Sequence, residues 1–199
     1  MKISMFNQPH LFTKYQFDKV QKSNLINKLL FSFFLFIVFS TSSFGQGIQD
    51  LGNKLLVLKS SPDSAIQAEG VHLKSLTSDL LPSIYFQQGE LAGTYKNNPT
   101  ILFTDISSIP LLSNSNPLFS KIEIISIRIK KQEDMQKVVL KLSDLSGFEN
   151  LKYIYFLCDF SICPEQPENI ACENEKISEI VQNNGNHLIE ILYKINIGS

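Results

Sequence analysis

At 199 residues, with 43% hydrophobic and 19% charged side chains, the chain has the composition of a packed globular protein rather than a disordered one. A formal net charge of −1 excludes a bulk electrostatic pull toward nucleic acid or anionic lipid.

The first 45 residues differ from the rest. Lys2, Lys14, Lys19, Lys22 and Lys28 are opposed only by Asp18, and the uncharged run LLFSFFLFIVFS, residues 29–40, leads into TSSFGQ. A basic segment, a short apolar stretch and small residues before a cleavage point define a secretory signal peptide. Ser43 and Gly45 are those small residues if the cut falls before Gln46. The apolar run is shorter than the roughly 18 residues a transmembrane anchor needs. The expectation is therefore a signal peptide over 1–45 and a single exported α/β domain over 46–199, periplasmic or extracellular, with no stable membrane span after cleavage. Taking five Lys and one Asp from 18 basic and 19 acidic residues leaves 13 and 18, a net charge of −5. A nucleic-acid partner is not expected of so acidic a domain.

In the mature region, KLLVLKS (54–60) is a short apolar run that stops at SSPDS. Ser61 as a cap and Pro62 in the first turn open a short helix through Ala65, Ile66 and Ala68 that ends at Gly70. Leu73, Leu76, Leu80 and Leu81 then share one helical face, closed by Pro82. Residues 83–121 are rich in Gly, Pro, Asn and Ser and read as loops around one strand, TILFTDI. In KIEIISIRIKK, Ile125, Ile127 and Ile129 alternate with Ser126, Arg128 and Lys130, the pattern of a half-buried strand. VVLKL (138–142) reads as a short strand or a buried helical turn, and NLKYIYFLCDF as a central strand. A helix carrying Ile177, Ile180 and Val181 follows, with Glu173 and Glu175 in its first turn and Gly185 past its end. HLIEILYKINI reads as the last strand.

Strands separated by about 30 residues imply β-α-β crossovers. The expected fold is α/β, a small mixed or partly parallel sheet with short crossover helices. The alternative is an irregular stack of coils. Leu142, Leu145, Phe148, Leu151, Ile154 and Phe156 are spaced in a way that resembles a leucine-rich repeat, with Ile122, Ile125 and Ile127 in the same register 29 positions earlier and Leu188, Ile191 and Tyr193 after 37. Such a stack implies a recognition surface of exposed strand residues, Ser126, Tyr153 and Tyr155 among them.

Chemistry is sparse. Beyond residue 45 the histidines are His72 and His187, which limits proton-shuttle catalysis. The G-x-S-x-G, H-E-x-x-H, Walker and dinucleotide-binding patterns are absent. Asp159, Glu165, Glu168, Glu173, Glu175 and Glu179 make the region after Cys158 acidic, but 159–175 has no turn Gly for a calcium loop. No metal or other cofactor is expected.

All three cysteines fall in YIYFLCDFSICPEQPENIACENE, spaced C-x4-C and C-x8-C, which fits neither a redox C-x-x-C pair nor a complete zinc site. In an oxidising compartment a disulfide takes precedence. Nine residues of continuous helix separate two Cα atoms by roughly 13 Å, beyond the roughly 7 Å a disulfide tolerates. A Cys163–Cys172 bridge therefore requires a loop or broken turn between them, leaving Cys158 as a buried free thiol. Cys158–Cys163 pairing, three free thiols and an intermolecular bridge are the alternatives. If a helix starts at Pro164, Cys163 sits at its N-cap, where the dipole activates a thiolate. The functional expectation is a non-catalytic binding or interaction domain of the cell envelope, its partner a protein or envelope component. The alternative is a thiol-dependent envelope enzyme or redox-active protein using Cys163 or Cys158.

Overall fold

The computed structural model describes residues 47–137, 139–167, 169–182 and 189–197. The signal-peptide reading, Gly185 and His187 lie outside the described residues. Strand β1 (Gln49–Asp50) leads into a pair of helices, α1 (Leu51–Ser60) and α2 (Ser64–Ser78). Strands β2 (Ser83–Gln87) and β3 (Glu90–Tyr95) form a hairpin, followed by β4 (Ile101–Asp105) and β5 (Ile124–Ile129). Then come the one-turn helix α3 (Gln132–Met135), β6 (Leu140–Lys141), β7 (Tyr153–Cys158), α4 (Ile170–Ile180), β8 (Val181–Gln182) and β9 (Glu190–Ile195).

Seven strands make one mixed sheet in the order β1-β9-β7-β5-β4-β2-β3, parallel except for the β2–β3 pair. The fold is α/β. From β4 to β9 each main-sheet strand lies beside its predecessor. Ile101 pairs with Ile124, Ile124 with Tyr153, and Tyr153 with Glu190. The last two steps are the 29- and 37-residue offsets that suggested stacked coils. The crossovers between β4 and β9 pack on one face, where Phe119, Met135, Leu145, Phe148, Ile162 and Ile177 share a core with Ile125, Ile127, Ile154, Phe156 and Tyr193. Phe119 and Phe148 stack at 4.3 Å between ring centroids and join successive crossovers.

The other face is not an open horseshoe. Leu51 and Leu58 of α1 and Leu73 and Leu76 of α2 cover Ile101, Ile124, Tyr153, Tyr155 and Leu192. Tyr153 and Tyr155 are thus buried beneath helices and Ser126, on the same face, is buried as well, so the exposed strand surface expected of these three is absent. The apolar run 54–60 is helical because Asp50 caps it, accepting from the Asn53 N–H at 2.9 Å. Asp63, not Ser61, caps α2 by accepting from Ala65 N–H at 2.8 Å. The helix runs through Gly70 instead of ending there. A Cβ at Gly70 would lie 2.9 Å from Leu58 Cβ, so this glycine serves close helix packing rather than termination. Helix α2 ends at Ser78, before Leu80, which is exposed.

Residues 83–95 are a hairpin rather than loop. Gln88 and Gly89 both have positive φ, 55° and 81°, the two-residue turn that matches strand twist. Of the run 138–142, Val138 lies outside the described residues, Leu140 and Lys141 form β6, and a turn of 3-10 helix begins at Leu142. Cys163 and Cys172 form a disulfide with Cα atoms 6.4 Å apart. Helix α4 begins only at Ile170, with Asn169 as its cap, so no continuous helix separates the two cysteines and Cys163 is not a helix N-cap.

Candidate functional site

The helical pair covers only the first half of the strands. Beyond it, the same face of the sheet is open at the carboxyl ends of β2, β4, β5 and β7. A shallow cleft of about 340 Å³ lies there, lined by Tyr85, Phe103, Ser126, Arg128, Lys130 and Leu157 together with nearby strand residues. The outer end of a parallel sheet is where α/β folds place ligands, because strand termini leave a crevice that the crossovers do not fill.

Register explains the lining. Tyr85 pairs with Phe103, Phe103 with Ser126, and Ser126 with Tyr155, so these four stand side by side across four strands. Two residues further along, on the same face, come Asp105, Arg128, Leu157 and Lys194. Tyr85 and Phe103 stack with centroids 5.0 Å apart and planes 14° from parallel. Together they form an aromatic wall, with Leu157, beside Arg128 one step further along the strands, on the opposite side.

The rim is fixed by hydrogen bonds. Asp105 Oδ2 accepts from the Gln88 N–H at 2.9 Å, while Oδ1 accepts from Ser107 Oγ, Ser108 N–H and Ser108 Oγ. Ser108 Oγ also lies 2.9 Å from the Gly89 N–H, so the tip of the β2–β3 hairpin is tethered to the end of β4. Partial burial opposes the charge on Asp105, but the donors from Gln88, Ser108 and Ser107 outweigh it and hold the carboxyl below its ordinary value. Its charge is therefore stabilised by neutral donors of the hairpin turn and of the loop after β4. Arg128 donates through Nε to Asp159 Oδ2 at 2.8 Å, which leaves the outer guanidinium N–H groups for solvent or ligand. Among the described residues Lys130 pairs with no carboxylate. A second hollow of about 470 Å³, bounded by Ser107, Pro110, Asp134 and Lys137, shares Asp105, Arg128 and Lys130 with the first. The two make one groove along the strand ends.

The residues singled out from the sequence lie elsewhere. Cys158 is fully buried on the crossover face, opposite the cleft. Burial, reinforced by Asp159 and Glu173, pushes its thiol up to about 12, so near neutral pH it is a protonated core side chain rather than a thiolate. Cys163 is buried and bridged to Cys172. His72 is at the other end of the strands, its Nε2 2.9 Å from Glu123 Oε2, which also accepts from Lys152 Nζ at 2.7 Å. With Tyr153 Oη donating to Glu69 at 3.0 Å and Lys54 paired to Glu190 at 2.7 Å, this cluster clips the helices to the sheet. Glu173 is buried and accepts from Tyr193 Oη at 2.9 Å, while Glu165, Glu175 and Glu179 are exposed. Among the described residues no three His, Cys, Asp or Glu side chains converge as metal ligands.

Comparison with protein-family models, curated proteins and solved structures returns no match to this chain.

Sequence reasoning missed Tyr85 and Leu157 as residues of this cleft. Tyr85 falls in the segment read as loop, and Leu157 inside an apolar run whose two faces look alike. The alternation of Ser126, Arg128 and Lys130 was the available signal, since a central strand with a polar face points to an uncovered surface.

Proposed function

We propose that this protein is an exported, non-catalytic binding domain that takes a small amphipathic ligand of the cell envelope in the cleft at the strand ends. The observation that carries the reading is the open wall of Tyr85, Phe103 and Leu157 with Arg128 and Lys130 at its rim. Apolar surface left uncovered at the end of an otherwise closed core, beside a few convergent polar groups, is the ordinary form of a ligand site. Export follows from the sequence of residues 1–45, and a periplasmic or secreted protein with a mature N-terminus at Gln46, found by mass spectrometry, is the expected outcome; an intact N-terminus would count against it. No helix among the described residues is long and apolar enough to cross a membrane.

Titration of the purified protein with N-phenyl-1-naphthylamine tests the cleft. One saturable site is expected, weakened at least tenfold by Leu157→Glu with an unchanged far-ultraviolet circular dichroism spectrum. Equal binding by the variant would refute this location.

A further inference from the structure

We propose that the ligand carries a planar aromatic ring bearing an anionic group, with the ring seated over Ser126 and the anion held by Arg128 and Lys130. This assignment rests on the cleft being the binding site and goes beyond it in naming a ligand class.

Ring placement follows from the register. Tyr85, Phe103, Ser126 and Tyr155 occupy four consecutive strands at one level. Three positions hold aromatic rings and the third holds a serine, so the row lacks one ring. Adjacent strands are about 4.8 Å apart, so the strands that flank Ser126 are roughly 9.6 Å apart. Stacked aromatic partners prefer centroids about 4.5–7 Å apart, and the Tyr85–Phe103 pair already has that arrangement at 5.0 Å. One flat ring beside Phe103 continues the stack in the next strand's place. The gap opens into the cleft, because Phe103, Ser126 and Leu157 all line it.

Charge at the exit is selective. Of the ionisable side chains lining the cleft, Arg128 and Lys130 are cationic and Asp105 is anionic, giving a local excess of one positive charge in a domain of net charge −5. Asp105 turns its oxygens to four donors of the neighbouring loop, so it does not repel an anion as a free carboxylate would. Asp159 engages only Nε of Arg128, and a guanidinium so anchored is oriented to present its outer edge to a carboxylate or sulfonate. Arg128 lies two residues beyond Ser126 on the same face, one strand pitch of about 6.6 Å from the seat of the ring, which matches the reach of an acid substituent on a one- or two-ring system.

Fluorescence titration with 2-naphthoate and its neutral isostere 2-naphthamide, with the non-fluorescent saturated analogue decalin-2-carboxylate read by its displacement of bound 2-naphthoate, tests the assignment. The protein contains no tryptophan, so naphthalene emission is read without interference. Naphthoate is expected to bind at least tenfold tighter than either comparator. Arg128→Gln should remove the preference for the acid over the amide. Ser126→Phe should abolish naphthoate binding, with Ser126→Leu as the smaller filler if the phenylalanine variant does not fold. Equal affinity for acid and amide, or for flat and saturated rings, would overturn the aromatic-anion assignment and leave the cleft standing. No saturable binding of these probes or of N-phenyl-1-naphthylamine would overturn both.

Discussion

Replacing Gly70 with alanine sets two effects of opposite sign against each other. In an ordinary exposed helix interior the change stabilises by about 1 kcal/mol, because glycine loses more backbone entropy on folding. At Gly70 the added Cβ would meet Leu58 Cβ at 2.9 Å and Leu58 carbonyl carbon at 3.7 Å. The nearer atom is fixed to the α1 backbone and cannot rotate away, so the two helices must separate, and forcing a methyl into packed structure costs about 1–3 kcal/mol. The net expectation is a loss of about 1 kcal/mol, measured as a lower urea midpoint by circular dichroism with an unchanged m value. For a domain of this size that corresponds to roughly 2–4 °C in Tm. Ala68→Gly, at an exposed position of the same helix, calibrates the propensity scale and should lose about 1 kcal/mol. If Gly70→Ala instead gains what Ala68→Gly loses, α1 and α2 do not approach as described and the account of Gly70 is refuted.

Removing the disulfide with a Cys163→Ser, Cys172→Ser double variant should destabilise by about 2–3 kcal/mol, the loop-closure value for a sequence separation of 9, with equilibrium unfolding as the check. Native protein treated with iodoacetamide at pH 8 should leave Cys158 unmodified, and the same protein in urea should label stoichiometrically; mass mapping of a labelled native Cys158 would contradict its burial. Glu123 is opposed by partial burial but held below its ordinary value by Lys152 and His72. A depressed carboxyl contributes stability that is present above its unfolded-state pKa and lost as pH falls through the folded value. Glu123→Gln should therefore flatten the acid limb of the stability–pH profile below about pH 5, and an unchanged acid limb would argue against the clip.

The second half of the chain was readable because its signals are local and strong. Alternation in residues 121–131 marks β5, and the aromatic, branched run from residue 153 marks β7. For the cysteines, helix geometry supplied a condition rather than a choice: a Cys163–Cys172 bridge needs a broken connection between them, and the turns before Ile170 provide it. What escaped did so for tertiary reasons. Gly70 resembles a helix stop until Leu58 is known to lie against it. The β2–β3 hairpin was hidden because Gln88 adopts the left-handed conformation that sequence patterns reserve for Asn or Asp. In the stacked-coil alternative Tyr153 and Tyr155 stood on an exposed strand face, yet α1 and α2, far earlier in the chain, fold over them, a contact no local window contains. The cleft is the remainder of that covering, and it is defined by where α1 and α2 stop.

Strand β1 adds a consequence of its own. Stacked coils behave as a linear array whose terminal unit frays first, because each contacts only its neighbour. Here β1, the first described strand, pairs Gln49 with Leu192 and Asp50 with Tyr193, against the last strand of the sheet. The helices that follow return across the sheet to β2, so β1 and the helical pair buckle β9 in place. Releasing β9 requires lifting that belt, which would expose Tyr153 and Tyr155 together. Amide exchange along β7, β9 and α1 should then proceed at one common rate, as a single latch rather than a row of separate hinges.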